Sequence, residues 1–189
     1  MPTALITGAS RGLGRATAGA LAGRGWTLVV TARRAGDLTA AMRGLDRVTV
    51  LPGDVTEPGH QAALAAAAAR TGRLDLLMNN ASRLGPSPQP QLAGYPLDEL
   101  RRVYETNVLA PLALIQLLAR PLAAASGAVI NLSSDAATEA YQGWGGYGSA
   151  KAALDQLTAV LAAEQPSLRC YTLDPGDMRT ILDCQCNLR

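Results

Sequence analysis

One histidine, His60, and one lysine, Lys151, stand in a chain of 189 residues whose 17 basic side chains are otherwise all arginine. A single imidazole excludes any site that needs two, and with it the common forms of metal-assisted hydrolysis, so no metal is expected. Cysteine is scarce as well: Cys170, Cys184 and Cys186 are an odd number, which argues against a disulfide framework. Cys184-x-Cys186 has no second pair or histidine beside it and reads as reduced thiols. Excess charge of one sign is also missing. The net charge is +2, and arginines adjoin only as Arg33/Arg34 and Arg101/Arg102, so no footprint for nucleic acid or an anionic membrane is present. No uncharged stretch approaches ~20 apolar residues, and MPTALITGAS lacks a basic segment followed by an apolar run. A cytoplasmic location, off the membrane, is the expectation.

What is present is enough for one core. With 48% hydrophobic residues, a domain of this length buries roughly 70% of the surface its unfolded chain exposes. Short β-branched runs alternate with Ala/Leu-rich segments at helical spacing, the rhythm of a parallel sheet covered on both faces. Strands are predicted at 3–7, 27–31, 48–51, 74–79, 128–132 and 168–173, and helices at 12–24, 35–44, 57–71, 97–122 and 147–165, with Pro111 as a kink or break. The fold class is therefore α/β, a Rossmann-like doubly wound parallel sheet of about six strands in a single domain. Pro86, Pro88 and Pro90 forbid a regular helix in the long loop from Ala81 to Pro96.

The first strand runs into Thr7-Gly8-Ala9-Ser10-Arg11-Gly12-Leu13-Gly14. Glycines let the backbone turn sharply and approach a ligand, and the free N–H groups of the following helix then face an anion. A dinucleotide pyrophosphate fits that description. An acidic residue that takes a ribose 2′-hydroxyl belongs near the end of the second strand, yet Val29-Val30-Thr31-Ala32-Arg33-Arg34 holds none before Asp37. Arg33 there, with Arg11 in the turn, points to a 2′-phosphate and so to NADP, NADPH being preferred over NADH. Asp54 and Val55, beyond the third strand, are placed at the adenine; Asp54 reads equally as a turn former.

Tyr147 and Lys151, at i and i+4, lie adjacent on one helix face. A cation at ~5 Å with an effective dielectric of about 20 favours the phenolate by about 3 kcal/mol, on the order of two pKa units. That brings a tyrosine toward the working range of a general acid/base. A broad guanidinium is no substitute for the compact ammonium, which gives the solitary lysine its meaning.

With these features the chain resembles the short-chain dehydrogenase/reductase family from Thr3 to about Thr180. Thr7, Gly8, Gly12 and Gly14 match its glycine motif, Asn79-Asn80-Ala81 its strand-four motif, Asn107 its helix asparagine and Asn131-Leu132-Ser133-Ser134 its strand-five motif. The family's spacing of 13 from serine to tyrosine selects Ser134, since 147 − 134 = 13. Pro175-Gly176 matches the turn after strand six, with Thr180 at the cofactor's carboxamide side. The resemblance implies reversible hydride transfer between a nicotinamide and a carbonyl/alcohol pair. It gives Tyr147 the proton transfer, Lys151 the tuning of Tyr147 and the nicotinamide ribose, Ser134 the substrate oxygen, and Asn107 a water relay. Cofactor contacts it implies are Gly8, Ser10, Arg11, Gly12, Leu13, Gly14, Arg33, Asp54, Val55, Asn80, Ala81, Tyr147, Lys151, Pro175, Gly176 and Thr180.

Gly143-Trp144-x-x-Tyr147 and Lys151-Ala152-Ala153-Leu154-Asp155 look like the sepiapterin-reductase and benzil-reductase branch, with Trp144 an apolar wall for a small carbonyl substrate. The family also implies a homodimer through helices 97–122 and 147–165. Two departures stand out. Ser82 replaces the glycine of Asn-Asn-Ala-Gly, and residues 181–189 form an atypical tail where the family continues with a substrate flap, a helix and a seventh strand. The expected domain is 1–180, without that last strand and helix. The second reading is accordingly an NADP-binding short form without useful turnover.

Overall fold

The computed structural model describes residues 1–176. Thr180, Cys184, Cys186 and the rest of the tail lie outside the described residues. Strands β1 (Thr3–Thr7), β2 (Thr27–Thr31), β3 (Val48–Val50), β4 (Leu76–Asn79), β5 (Ala128–Leu132) and β6 (Arg169–Leu173) form one sheet in the order β3-β2-β1-β4-β5-β6. Every pairing is parallel. The connecting helices are α1 (Gly12–Ala22), α2 (Ala35–Ala41), α3 (Pro58–Arg70), α4 (Leu97–Tyr104), α5 (Ala110–Ala124) and α6 (Gly145–Glu164).

All five residues of β1 are buried, because helices cover both faces of the sheet. Successive side chains point to opposite sides. Leu5 joins Leu64 of α3 and Leu114, Leu118 and Leu122 of α5 in one apolar cluster. Its neighbours Ala4 and Ile6 join Ala18 of α1 and Leu38 of α2 in another. Each fully buried leucine contributes on the order of 2 kcal/mol. The segment Leu97–Ala124 is apolar and, at 28 residues, long enough to cross a membrane; here Leu114, Leu118 and Leu122 are buried against the sheet, while Leu97, Leu109 and Leu117 are exposed.

The continuous helix expected over 97–122 is interrupted, and the interruption precedes Pro111. Between α4 and α5 the chain widens into a π turn at Glu105–Leu109, and Pro111 occupies the first turn of α5. Proline has no N–H for the Asn107 carbonyl four residues back, so the α-helical ladder loosens in the turn before it. The loop after β4 is irregular apart from a single 3₁₀ turn at Leu92–Gly94.

Candidate active site

The strand order reverses between β1 and β4, and the carboxyl ends of parallel strands open a crevice at such a point. A cleft of about 830 Å³ lies there. Of the residues expected at the cofactor, Gly8, Ser10, Arg11, Gly12, Leu13, Arg33, Asp54, Val55, Asn80, Ala81, Tyr147, Lys151 and Pro175 line it. Gly14, Asn107, Ser134, Trp144 and Gly176 do not line it, and each has a local reason.

Gly14 stands behind the turn. A Cβ on it would sit 2.5 Å from Asn80 Nδ2 and 2.6 Å from the Gly8 carbonyl oxygen, closer than real side chains come. Asn80 occupies that space because its Nδ2 donates to the carbonyls of Thr7 and Gly8 at 2.9 and 3.1 Å. Thr7 completes the brace by accepting, on Oγ1, from the backbone N–H groups of Asn80 and Ala81 at 3.0 and 2.9 Å. Gly8 and Gly12 hold φ of +67° and +53°, the left-handed conformation that favours glycine. The strand-four asparagine is thus a strut for the glycine turn. Gly176 donates its N–H to Asp174 Oδ1 at 2.9 Å and shapes a turn beside Pro175.

At the other end, Arg33 and Arg34 both line the cleft. Arg34 pairs with Asp37 at 2.6 Å, whereas Arg11 and Arg33 enter no ion pair among the described residues. Asp54 Oδ1 accepts from the N–H and the hydroxyl of Thr56 at 3.0 and 2.9 Å, so the turn-forming reading holds while the residue still faces the cleft. Behind it, His60 Nε2 meets Thr31 Oγ1 at 2.7 Å. Burial lowers the His60 pKa, opposed by the nearby Asp54 carboxylate.

Tyr147 and Lys151 are 7% and 2% exposed on α6. The Lys151 ammonium donates to the Leu132 carbonyl at 2.5 Å and lies 5.4 Å from the Tyr147 ring centroid. Burial pushes its pKa down from 10.5 to about 8, against a pull upward from Asp155 one turn on. Asp155 also accepts from Ser133 Oγ at 2.7 Å, so Ser133, which lines the cleft, has its hydroxyl engaged by α6, whereas Ser134 lies outside the lining. Ser134 caps the short turn Asp135–Ala137: its Oγ donates to Asp135 Oδ1 at 2.9 Å and accepts from the Ala136 N–H at 3.2 Å. Bonds from Ser134 first, then Tyr141, hold the Asp135 carboxyl below its usual pKa.

Trp144, expected as an apolar wall for the substrate, packs its ring edge-on against Tyr147, with centroids 5.8 Å apart. It precedes the first residue of α6, and its indole fills the corner formed by Leu84, Ala136 and Tyr147. Asn107 is fully buried. Its Oδ1 accepts from the Arg83 N–H at 2.8 Å and from Ser82 Oγ at 3.3 Å, while its Nδ2 donates to the Arg83 carbonyl at 2.9 Å. The side chain therefore clamps the loop after β4, and Ser82, the residue in place of glycine, is held by that clamp at the cleft lining.

Sequence reasoning missed a buried polar ladder. Asn79 Nδ2 donates to Asn131 Oδ1, Asn131 Nδ2 to Thr158 Oγ1, and Thr158 Oγ1 to the Leu154 carbonyl, at 2.8, 2.8 and 2.7 Å. It fixes α6, and with it Tyr147 and Lys151, against β4 and β5. The available signal was two asparagines inside otherwise apolar strands, at positions that pair directly.

A family model described as short chain dehydrogenase matches residues 2–187. Serine 3-dehydrogenase of Agrobacterium fabrum is 36% identical over 183 residues, covering 94% of this chain and 72% of the relative. Benzil reductase ((S)-benzoin forming) of Bacillus subtilis is 31% identical and sepiapterin reductase of Rattus norvegicus 35%, each alignment covering 93% of this chain and 74% of the relative. The crystal structure of an alcohol dehydrogenase from the archaeon Thermococcus sibiricus, complexed with 5-hydroxy-NADP, superposes with a TM-score of 0.84 at 28% identity, covering 92% of this chain and 75% of that one. Glycine turn, asparagine strut and buried tyrosine/lysine pair occupy one cleft at the switch point of the sheet, and the chain belongs to the short-chain dehydrogenase/reductase family of oxidoreductases.

Proposed function

We propose that this protein is an NADP(H)-dependent reductase of a small ketone, aldehyde or diketone. The observation that carries the reading is one cleft lined by Arg11 and Arg33 as well as by Tyr147 and Lys151. A dinucleotide suits these residues. The N-terminal turn of α1 opens into the cleft through Gly12 and Leu13, offering unpaired N–H groups to a pyrophosphate. Arg33 supplies a cation for a 2′-phosphate, and the ammonium of Lys151 keeps two donors beyond its bond to Leu132 for ribose hydroxyls. When bound, the nicotinamide dinucleotide supplies the hydride that a carbonyl carbon accepts.

The chain's own residues manage the proton. Tyr147 holds the proton that goes to the carbonyl oxygen, and the nearby Lys151 ammonium favours the phenolate left behind. The family resemblance gives Ser134 a bond to the same oxygen; from its place just outside the cleft lining that requires its O–H to leave Asp135, which accepts it here. Because both polar groups of the Asn107 side chain serve the 82–83 loop, its contribution to a water relay is the main-chain carbonyl that Pro111 leaves without an α-helical partner.

The relatives support a carbonyl or alcohol substrate, and their names cover a serine dehydrogenase as well as reductases of benzil and sepiapterin. A homodimer through α4–α5 and α6 agrees with the exposure of Leu109, Leu117 and Val160 on those segments. Oxidation of NADPH in the presence of benzil, 1-phenyl-1,2-propanedione and simple aldehydes tests the proposal, alongside fluorescence titration of the cofactor. Turnover on at least one of these carbonyls is expected. Tight NADPH binding without turnover on any of them would favour a dinucleotide-binding protein instead.

A further inference from the structure

Arg83 lines the cleft, and no role in the chemistry above uses its side chain. Its backbone is fixed on both sides by Asn107, through the N–H at 2.8 Å and the carbonyl at 2.9 Å. The next residue, Leu84, packs with Tyr147. So Arg83 is held rigidly, one residue from a contact of the tyrosine. Its guanidinium is only partly satisfied: Nη2 pairs with Glu99 of α4 at 2.9 Å, while Nε is buried with no hydrogen-bond partner. Glu99 is in turn shared with Arg102, whose side chain is 61% exposed and also lines the cleft.

A guanidinium carries five N–H donors, and Glu99 engages it through Nη2, so donors remain on the partly exposed side chain for a ligand oxygen. The trio of Arg83, Glu99 and Arg102 carries a net positive charge, with the exposed Glu105 also at the cleft lining, and the acceptor a guanidinium there fits is an anion. Guanidinium forks bind phosphate and carboxylate oxygens above other acceptors.

We infer that Arg83 is a ligand-binding residue of the cleft, donating from the guanidinium N–H groups that Glu99 leaves over to an anionic oxygen of the bound ligand. The oxygen belongs either to a phosphate of the dinucleotide or to a carboxylate on the substrate, and binding measurements separate the two. The inference rests on the reading of the cleft as a dinucleotide and carbonyl site, but its test needs no turnover.

Dissociation constants of wild type, Arg83→Gln and Glu99→Gln are measured by calorimetry for NADPH, inorganic pyrophosphate and phenylglyoxylate. The neutral 1-phenyl-1,2-propanedione, titrated with NADP⁺ present, serves as control. Arg83→Gln is expected to weaken NADPH and pyrophosphate together by about tenfold if phosphate is the partner, or phenylglyoxylate alone by about tenfold if carboxylate is. The neutral diketone changes less than twofold. Glu99→Gln removes the carboxylate charge that competes for the guanidinium and strengthens the same anion at least twofold, a result that stands even if Arg83→Gln does not fold. All ligands binding Arg83→Gln within twofold of wild type, an equal loss for the neutral diketone, or no gain in Glu99→Gln would overturn the assignment. A wild type that binds these ligands but oxidises no NADPH would sink the reductase reading and leave this one standing.

Discussion

The Lys151 ammonium donates to the Leu132 carbonyl at 2.5 Å, so the chain's one lysine is pinned to the end of the strand that leads into Ser134. Helix α6 supplies the phenol and ammonium; β5 fixes where the ammonium stands. Charge burial is the counterpart of that placement, and it has a pH signature.

Folding lowers the Lys151 pKa from 10.5 to about 8. Between those values the unfolded chain binds the proton and the folded chain releases it, so stability rises with pH. The destabilisation is full below pH 8 and fades toward pH 10.5, amounting to about 3 kcal/mol over that window. Lys151→Met removes the titration and also leaves the Leu132 carbonyl without its bond, a pH-independent offset. Melting temperatures of the two proteins at pH 7, 9 and 10 are therefore expected to shift relative to one another, in favour of wild type as pH rises. A gap that stays constant would contradict a buried ammonium.

Gly14→Ala would push a methyl group onto the Gly8 carbonyl, 2.6 Å away, and onto the Asn80 strut. The glycine turn has to move, and NADPH affinity is expected to fall by tenfold or more in a fluorescence titration. Unchanged affinity would show that the turn does not hold the pyrophosphate.

Asn131→Leu removes the acceptor of Asn79 Nδ2, and Asn79 Oδ1 already has no partner. A loss of about 1–3 kcal/mol is expected from urea unfolding, seen as a lower midpoint at an unchanged m-value. Adding Asn79→Leu is expected to recover part of it, because the orphaned amide is gone. No loss in the single variant would remove the ladder as the element that seats α6.

These variants also mark where the sequence was legible. β1, β2 and β5 fall at their expected bounds, because apolar runs between turn residues leave little freedom. Tyr147 and Lys151 were readable because helical spacing alone brings them together. The Asn80 strut was not, since Thr7 and Asn80 are 73 residues apart and only the β1–β4 pairing makes them neighbours. Asn107 was recognised by its motif, but its partners at Ser82 and Arg83 depend on how the loop after β4 crosses the π turn. Trp144 was read as a wall for the substrate; its edge-on packing against Tyr147 was not legible, because it depends on how the turn before α6 meets Leu84 and Ala136.

Arg33→Ala is expected to weaken NADPH binding by about tenfold while changing NADH affinity less than twofold, as read by parallel fluorescence titrations. An equal effect on both cofactors would mean that Arg33 does not meet a 2′-phosphate.

The most direct measurement compares Tyr147→Phe with wild type for NADPH binding and for NADPH oxidation against aromatic diketones. Removing only the hydroxyl is expected to cut turnover by at least a hundredfold, with the dissociation constant for NADPH within threefold of wild type. A Tyr147→Phe protein that reduces the diketone at the wild-type rate would contradict the assignment of the proton to Tyr147.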